Sequence, residues 1–303
     1  MKRTILFFFS LSGLIFTTYG QQSSGIKKIP IIDMHLHALW WGESSIVGPL
    51  GLKAPKDPAA MRDSTFYYLK KYNIVKAVTD DAFALDYFHH DPQRIIPARQ
   101  GISPLLRDSV DSLRHWFQAG TYKLIAEFMP QYIGFRPDDP EMEAYFQVAD
   151  EFNIPVGIHL GIGKAGFANF TIANANPLYL ENVLRKHPNL RIYVMHAGYP
   201  FISEMIALMA TYPQVYVDIA VINWVLPRKE FHYYLQRLVD AGFGKRIMYG
   251  SDEMMWPQSI PISIENIRSA AFLTDQQKEN VFYNNAADFL RLSAEEIKKD
   301  KAQ

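Results

Sequence analysis

The 303-residue chain contains no cysteine. That excludes disulfides, thiolate nucleophiles, thiolate metal ligands and any lipid carried on a thiol. It has no charge excess either: 31 Lys and Arg balance 31 Asp and Glu, so there is no basic footprint for nucleic acid or an anionic membrane surface. A glycine-rich dinucleotide fingerprint, internal repeats and low-complexity tracts are also missing. What remains is an ordinary globular composition, 49% hydrophobic, for which a small molecule is the expected partner.

The first residues, "MKRTILFFFSLSGLIFTTYG", place Lys2 and Arg3 before an apolar run to Phe16, then small and polar residues to Gly20. This is the layout of a cleavable secretory signal peptide. The run is short for a membrane span of about 20 apolar residues, and no basic stop follows it. The expected organisation is a signal peptide over 1–20, a polar linker over 21–28 ("QQSSGIKK") and one domain over 29–303. Export to the periplasm or the exterior follows, with no stable membrane anchor after cleavage; a homo-oligomer is compatible with the sequence.

Past the linker, short apolar runs alternate with amphipathic stretches. Strands are expected at 29–37, 75–79, 95–102, 122–128, 154–160, 191–196, 215–220 and 246–250. The helical patterns between them are bounded by Asp, Asn, Pro or Gly in positions that suit helix starts and stops. Eight strands separated by helices predict an α/β fold, a single-domain (β/α)8 TIM barrel of roughly the usual 250 residues. An extra C-terminal helix, "TDQQKENVFYNNAADFLRL", and a charged tail, "AEEIKKDKAQ", account for the excess length. The stretch "DAFALDYFHHDPQR" after the second strand reads mostly as loop.

In such a barrel, ligands gather where the strands end. Strand one, "IIDMHLH", ends in His35 and His37; strand four ends in Glu127, five in His159, six in His196, and Asp252 follows strand eight in "YGSD". Alternation puts Asp33, His35 and His37 on one inward face. An H-x-H pair alone is weak evidence, but four of nine histidines fall at strand ends. Imidazoles and a carboxylate converging at one mouth supply the ligands that zinc or a similar divalent ion takes. Glu127 has several readings: bridge to a second ion, orienter of water, holder of a substrate amine, or partner of Lys123 or Arg136. His89 and His90 lie where a loop could reach the mouth, whereas His115, His187 and His232 are expected to be solvated. Trp40, Trp41, Trp224 and Trp256 could line a ring-binding pocket, and Arg136 could meet a substrate carboxylate.

The ordered series "DMHLH", "GIHLG", "VMHAG" and "YGSD", with the ending "VFYNNAADFLRL", resembles the amidohydrolase superfamily, in particular the amidohydrolase-related (amidohydrolase 2) family. The resemblance covers essentially the whole mature chain. It implies metal ligation by His35, His37, His159 and Asp252, with Asp252 also accepting a proton from water and His196 polarising the substrate. Zinc is the favoured metal and one ion the favoured number, a second being compatible with Glu127, which two-metal relatives resembling TatD deoxyribonucleases match. Asp33 is expected to orient the histidines from behind. The implied activity is hydrolysis of an amide, ester, lactone or related bond by a metal-activated water. The alternatives are non-oxidative decarboxylation of an aromatic or unsaturated acid, and a silent metal-containing binding protein.

Overall fold

A computed structural model describes residues 29–42, 47–163 and 166–303. The expected signal peptide and linker lie outside these residues. Eight parallel strands form one sheet in chain order: β1 (Ile31–His37), β2 (Ile74–Asp80), β3 (Ile95–Arg99), β4 (Leu124–Phe128), β5 (Val156–His159), β6 (Ile192–Met195), β7 (Val215–Asp218) and β8 (Ile247–Met248). The ring is completed next to β1, where Met34 N–H donates to the Tyr249 carbonyl at 2.9 Å and Asp252 N–H to the His35 carbonyl at 2.7 Å. This is the expected (β/α)8 barrel.

The helices follow from local chemistry. Pro58–Lys71 begins with Asp57 accepting the Ala60 N–H at 2.7 Å, with proline at the first helical position, a pairing that satisfies one orphan donor and removes another. Two elements differ from expectation. Ala84–His90 is helical, because Tyr87 and Ala84 are buried on one side of a single two-turn segment, which is too short to show a period in sequence. The third strand stops at Arg99, and Ile102–Ser103 instead pairs with Leu106–Arg107 as a separate ladder.

The charged tail is also ordered. Ala294–Asp300 is a helix closed by a capping box between Ser293 and Glu296. It is docked by buried Asp300, which accepts from Tyr283 Oη at 3.0 Å and pairs with Lys76 at 3.4 Å. Ile297 packs against the buried cluster that contains Phe289 and Tyr283.

β1 departs from simple alternation. Its pairing with β2 runs Asp33 to Ala77 and then Leu36 to Thr79, three residues forward against two, which is a β-bulge. The bulge breaks the period: Ile32 and Met34 pack among the interior side chains with Val78, Ala126 and Met195, while Ile31 and Leu36 face the helix layer. Asp33 therefore shares the side of Ala77 and does not stand in line with His35 and His37. Across the barrel, Tyr193 Oη donates to the Met34 carbonyl at 3.0 Å, pinning the bulge.

Tyr193 fits only because β5 carries glycine opposite it. A Cβ on Gly157 would lie 2.3 Å from the Tyr193 ring, and the ring cannot retreat without losing its bond to Met34. Gly157→Ala should therefore cost about 1–3 kcal/mol of unfolding free energy by overpacking, read from urea denaturation; an unchanged midpoint would show that the interior gives way.

Candidate metal centre

Of the sequence-predicted polar residues, the strand ends bring six together and leave out Asp33, Arg136, His89 and His90. His35, His37, Glu127, His159, His196 and Asp252 are each buried. Glu127 lies at the centre. Its Oε1 is hydrogen-bonded to His159 Nδ1, 3.6 Å from His196 Nε2 and 3.9 Å from His35 Nε2, and its Oε2 is 3.9 Å from His37 Nε2. The histidine rings stand close around it, with centroids 5.0 Å apart for His35 and His37 and 4.4 Å for His159 and His196. Glycine makes the approach of β8 possible, since a Cβ on Gly250 would stand 2.9 Å from the His35 Cβ.

Two groups of ligand atoms, each within 4.8 Å of one another, share Glu127: one with His35 and His37, the other with His159 and His196. The Lys123 or Arg136 partnership for Glu127 is replaced by these four imidazoles. Asp252 joins neither group; its Oδ1 is 3.0 Å from His37 Nε2 and its Oδ2 3.8 Å from His196 Nδ1.

Carboxylates that the strand-end reading passed over complete the site. Asp218, at the end of β7, bonds His35 Nδ1 through Oδ2 at 3.2 Å, and with Oδ1 accepts the His196 N–H at 2.9 Å and the Ala220 N–H at 3.0 Å. Asp80 and Asp81, at the end of β2, lie 3.0 Å and 2.6 Å from His37 Nδ1. Asp80 also accepts the Glu127 N–H at 2.7 Å, and Gln100 donates to Asp81 at 2.8 Å. Glu253 accepts the His37 N–H at 3.2 Å. The signal was available in "VTDD" and "VYVD", both strand endings.

Asp33 acts on the backbone and not on the imidazoles. Its Oδ1 accepts the His35 N–H at 3.0 Å and the Ser251 N–H at 2.9 Å, tying β1 to the loop after β8. The remaining expectations change more. Trp224 is 1% exposed and its indole N–H donates to the Ser251 carbonyl at 2.8 Å, so it braces the loop from below. Trp256 is likewise buried, against Gly48. Trp40 donates to the Pro55 carbonyl, and Trp41 is exposed. The aromatic wall beside the site is made by other residues: Tyr132 stands edge-on to His159 at 5.0 Å, with Phe167 and Phe170 behind it. Arg136 pairs with Asp138 at 3.1 Å and lies over Tyr179. His89 and His90 are exposed on the outer helix. His187 is not solvated; it is buried between Asp150 and Glu143, 3.1 Å from each.

The electrostatics follow from burying so many acids together. Burial opposes protonation of His35 and His37, but Asp252 and Asp218 around the first, and Asp80 and Asp81 around the second, outweigh it and hold both imidazoles well above their ordinary value. His196 is raised against burial by Glu127 and Asp252, whereas burial lowers His159. Burial pushes Asp80 up to about 6, helped by Asp81, and pushes Glu253 well up. Glu127 and Asp252 go the other way: burial is overcome by the imidazoles, holding Glu127 well below the carboxylate range and Asp252 at about 2. A divalent cation can take over the charge that these imidazolium protons supply. The donors fit one: imidazole nitrogens and carboxylate oxygens suit zinc and its neighbours, and the buried His35 Nε2 has no hydrogen-bond partner among the described residues.

Residues 32–292 match the model of the family described as amidohydrolase. Among solved structures the chain is similar to an uncharacterised TIM-barrel protein of Bordetella bronchiseptica (TM-score 0.66, 16% identity, covering 90% of this chain and 100% of that one). It is also similar to a probable 2-pyrone-4,6-dicarboxylic acid hydrolase of Acinetobacter baumannii, solved with citric acid bound (0.62, 14%, 86% and 99%). A third is the 5-carboxyvanillate decarboxylase of Sphingomonas paucimobilis (0.59, 12%, 88% and 100%). At these identities the likeness is one of fold. Among curated proteins it is similar to Protein fluG of Emericella nidulans, 22% identical over 118 residues; the match takes in 39% of this chain and spans 13% of that protein's length.

The depressed carboxylates set an acid limit on the metal-free protein. A carboxylate held low contributes stability above its unfolded value and loses it as pH falls through its folded value; for Asp252 the window runs from 3.8 down to about 2. Urea midpoints of metal-free protein should therefore fall as pH drops below about 4, and Asp252→Asn should flatten that limb. Parallel profiles for the two proteins would contradict the assignment.

Proposed function

The chain belongs to the amidohydrolase family, and from that premise we propose a metal-dependent hydrolase that cleaves an amide, ester, lactone or related bond of a small molecule. The observation that carries the reading is Glu127, whose two oxygens reach a nitrogen on each of four buried histidines. The residues proposed to hold the ion, zinc by preference, are His35, His37, His159 and Asp252, joined by Glu127. When bound, such an ion supplies a Lewis acid for the scissile carbonyl and acidifies a water for attack.

The chain's own groups carry the protons. Asp252, held at about 2 against the pull of burial by His35 and His37, is ionised at neutral pH and takes the proton from the attacking water on its carboxylate. It returns the proton to the leaving group, the general acid-base role worth about 10²–10⁴-fold in rate. His196 donates Nδ1–H to the Ala220 carbonyl at 3.1 Å, which turns Nε2 towards the Glu127–His159 pair. From there it polarises the substrate oxygen.

Decarboxylation of an aromatic or unsaturated acid is the second reading. The aromatic wall of Tyr132, Phe167 and Phe170 against His159 suits a planar ring, and the similar structure from Sphingomonas paucimobilis is named a decarboxylase. Export by the first twenty residues is part of the proposal and favours hydrolysis, since ring-degrading pathways are usually intracellular.

Chelation should abolish turnover of ester, lactone or amide panels and zinc or manganese should restore it. Asp252→Asn should lower kcat by about 10²–10⁴-fold in protein that still binds metal. Carbon dioxide release from aromatic acids with no hydrolysis would reverse the ranking of the two reactions. Full activity without metal would end both. Export predicts that protein recovered outside the cytoplasm starts at Gln21; an intact Met1 in that fraction contradicts cleavage.

A further inference from the structure

Resting on the metal-dependent reading, the carboxylates behind the first two histidines decide which nitrogen each offers. His35 turns Nδ1 to Asp218 Oδ2 at 3.2 Å and leaves Nε2 buried with no hydrogen-bond partner among the described residues. His37 turns Nδ1 to Asp81 Oδ2 at 2.6 Å, with Asp80 Oδ1 at 3.0 Å beside it, while its Nε2 lies 3.0 Å from Oδ1 of Asp252, one of the residues proposed to hold the ion. Both Nε2 atoms lie 3.9 Å from Glu127, one from each oxygen. Asp218 cannot turn freely, because its Oδ1 is occupied by the backbone N–H groups of His196 and Ala220 at 2.9 Å and 3.0 Å. Only Oδ2 is left for His35.

From this geometry we infer that Asp218 and Asp81 are positioning residues that keep a proton on Nδ1 of His35 and His37 and fix both rings with Nε2 towards Glu127, so that Nε2 is the nitrogen each ring yields to an arriving cation. A neutral imidazole carries a single N–H, and a carboxylate against Nδ1 requires that proton there. Nε2 is then the nitrogen left to a cation, and the ring is fixed in the orientation that presents it. Asp218 does this for one strand-one histidine while also holding the backbone of His196, so a residue on β7 registers side chains from β1 and β6 together.

The arrangement makes an unusual prediction for an isosteric change. In Asp218→Asn the two backbone N–H donors keep the amide oxygen at the Oδ1 position, so the amide nitrogen takes the place of Oδ2. It then donates to His35 Nδ1 and drives the ring proton to Nε2. Zinc affinity, measured by competition with a chromophoric chelator, should fall about 10- to 100-fold, with the visible spectrum of the cobalt-loaded protein altered and the thermal midpoint of the metal-free protein nearly kept. Asp81→Asn should lose less, because Asp80 offers His37 a second acceptor.

If Asp218→Asn fails to fold, wild-type protein labelled with ¹⁵N-histidine decides instead. In the zinc-loaded state the His35 Nδ1 should show a pyrrole-type shift, and a metal-shifted or pyridine-type Nδ1 overturns the assignment. Undiminished zinc affinity in Asp218→Asn also overturns it, leaving the metal-dependent reading intact. Absence of zinc binding by the wild type overturns both.

Discussion

The site depends on one carboxylate held among four imidazoles. Glu127 is buried, a placement that would cost several kcal/mol for an isolated charge. It is tolerated because each histidine that faces it can share positive charge, as a proton or as part of a cation's ligand shell. The same histidines are in turn held by carboxylates behind them, Asp218 for His35 and Asp80 with Asp81 for His37. Charge of alternating sign thus runs outward from Glu127, and the members of the set depend on one another for their pairing.

The barrel supplies the rigidity that this arrangement needs. Every site residue leaves from the end of a strand or the first residues beyond it, and the strands are cross-linked by side chain to backbone bonds that bypass the ladder. Asp33 ties β1 to Ser251, Asp80 ties β2 to Glu127, and Asp218 ties β7 to His196. Tyr193 fixes the β1 bulge from across the interior. Side chains carried on such elements are held more narrowly than side chains carried on loops alone.

Much of this was legible in the residues. All eight strands and their order could be read because apolar runs punctuated by Gly, Pro, Asn and Asp report burial directly, and the strand-end rule located His35, His37, Glu127, His159, His196 and Asp252. The β1 bulge was not legible: it arises from pairing with Ala77 and Thr79 and from Tyr193 on the opposite wall, none of which is local to "IIDMHLH". Alternation therefore misplaced Asp33. Asp80 and Asp218 carried the same strand-end signal as the histidines, but an aspartate ending a strand is common, and what marks these two is the imidazole each meets in space. Trp224 differs from expectation for a related reason. Position after a strand places Trp224 near the mouth, but only packing decides that its ring turns inward to Ser251.

A divalent cation is proposed to sit among Glu127, His35 and His37. Anomalous diffraction from crystals grown with manganese would locate it. A strong anomalous peak is expected within bonding distance of His35 Nε2, His37 Nε2 and the Glu127 carboxylate. A crystal with no peak among these residues, or with one bound elsewhere on the chain, would contradict this placement.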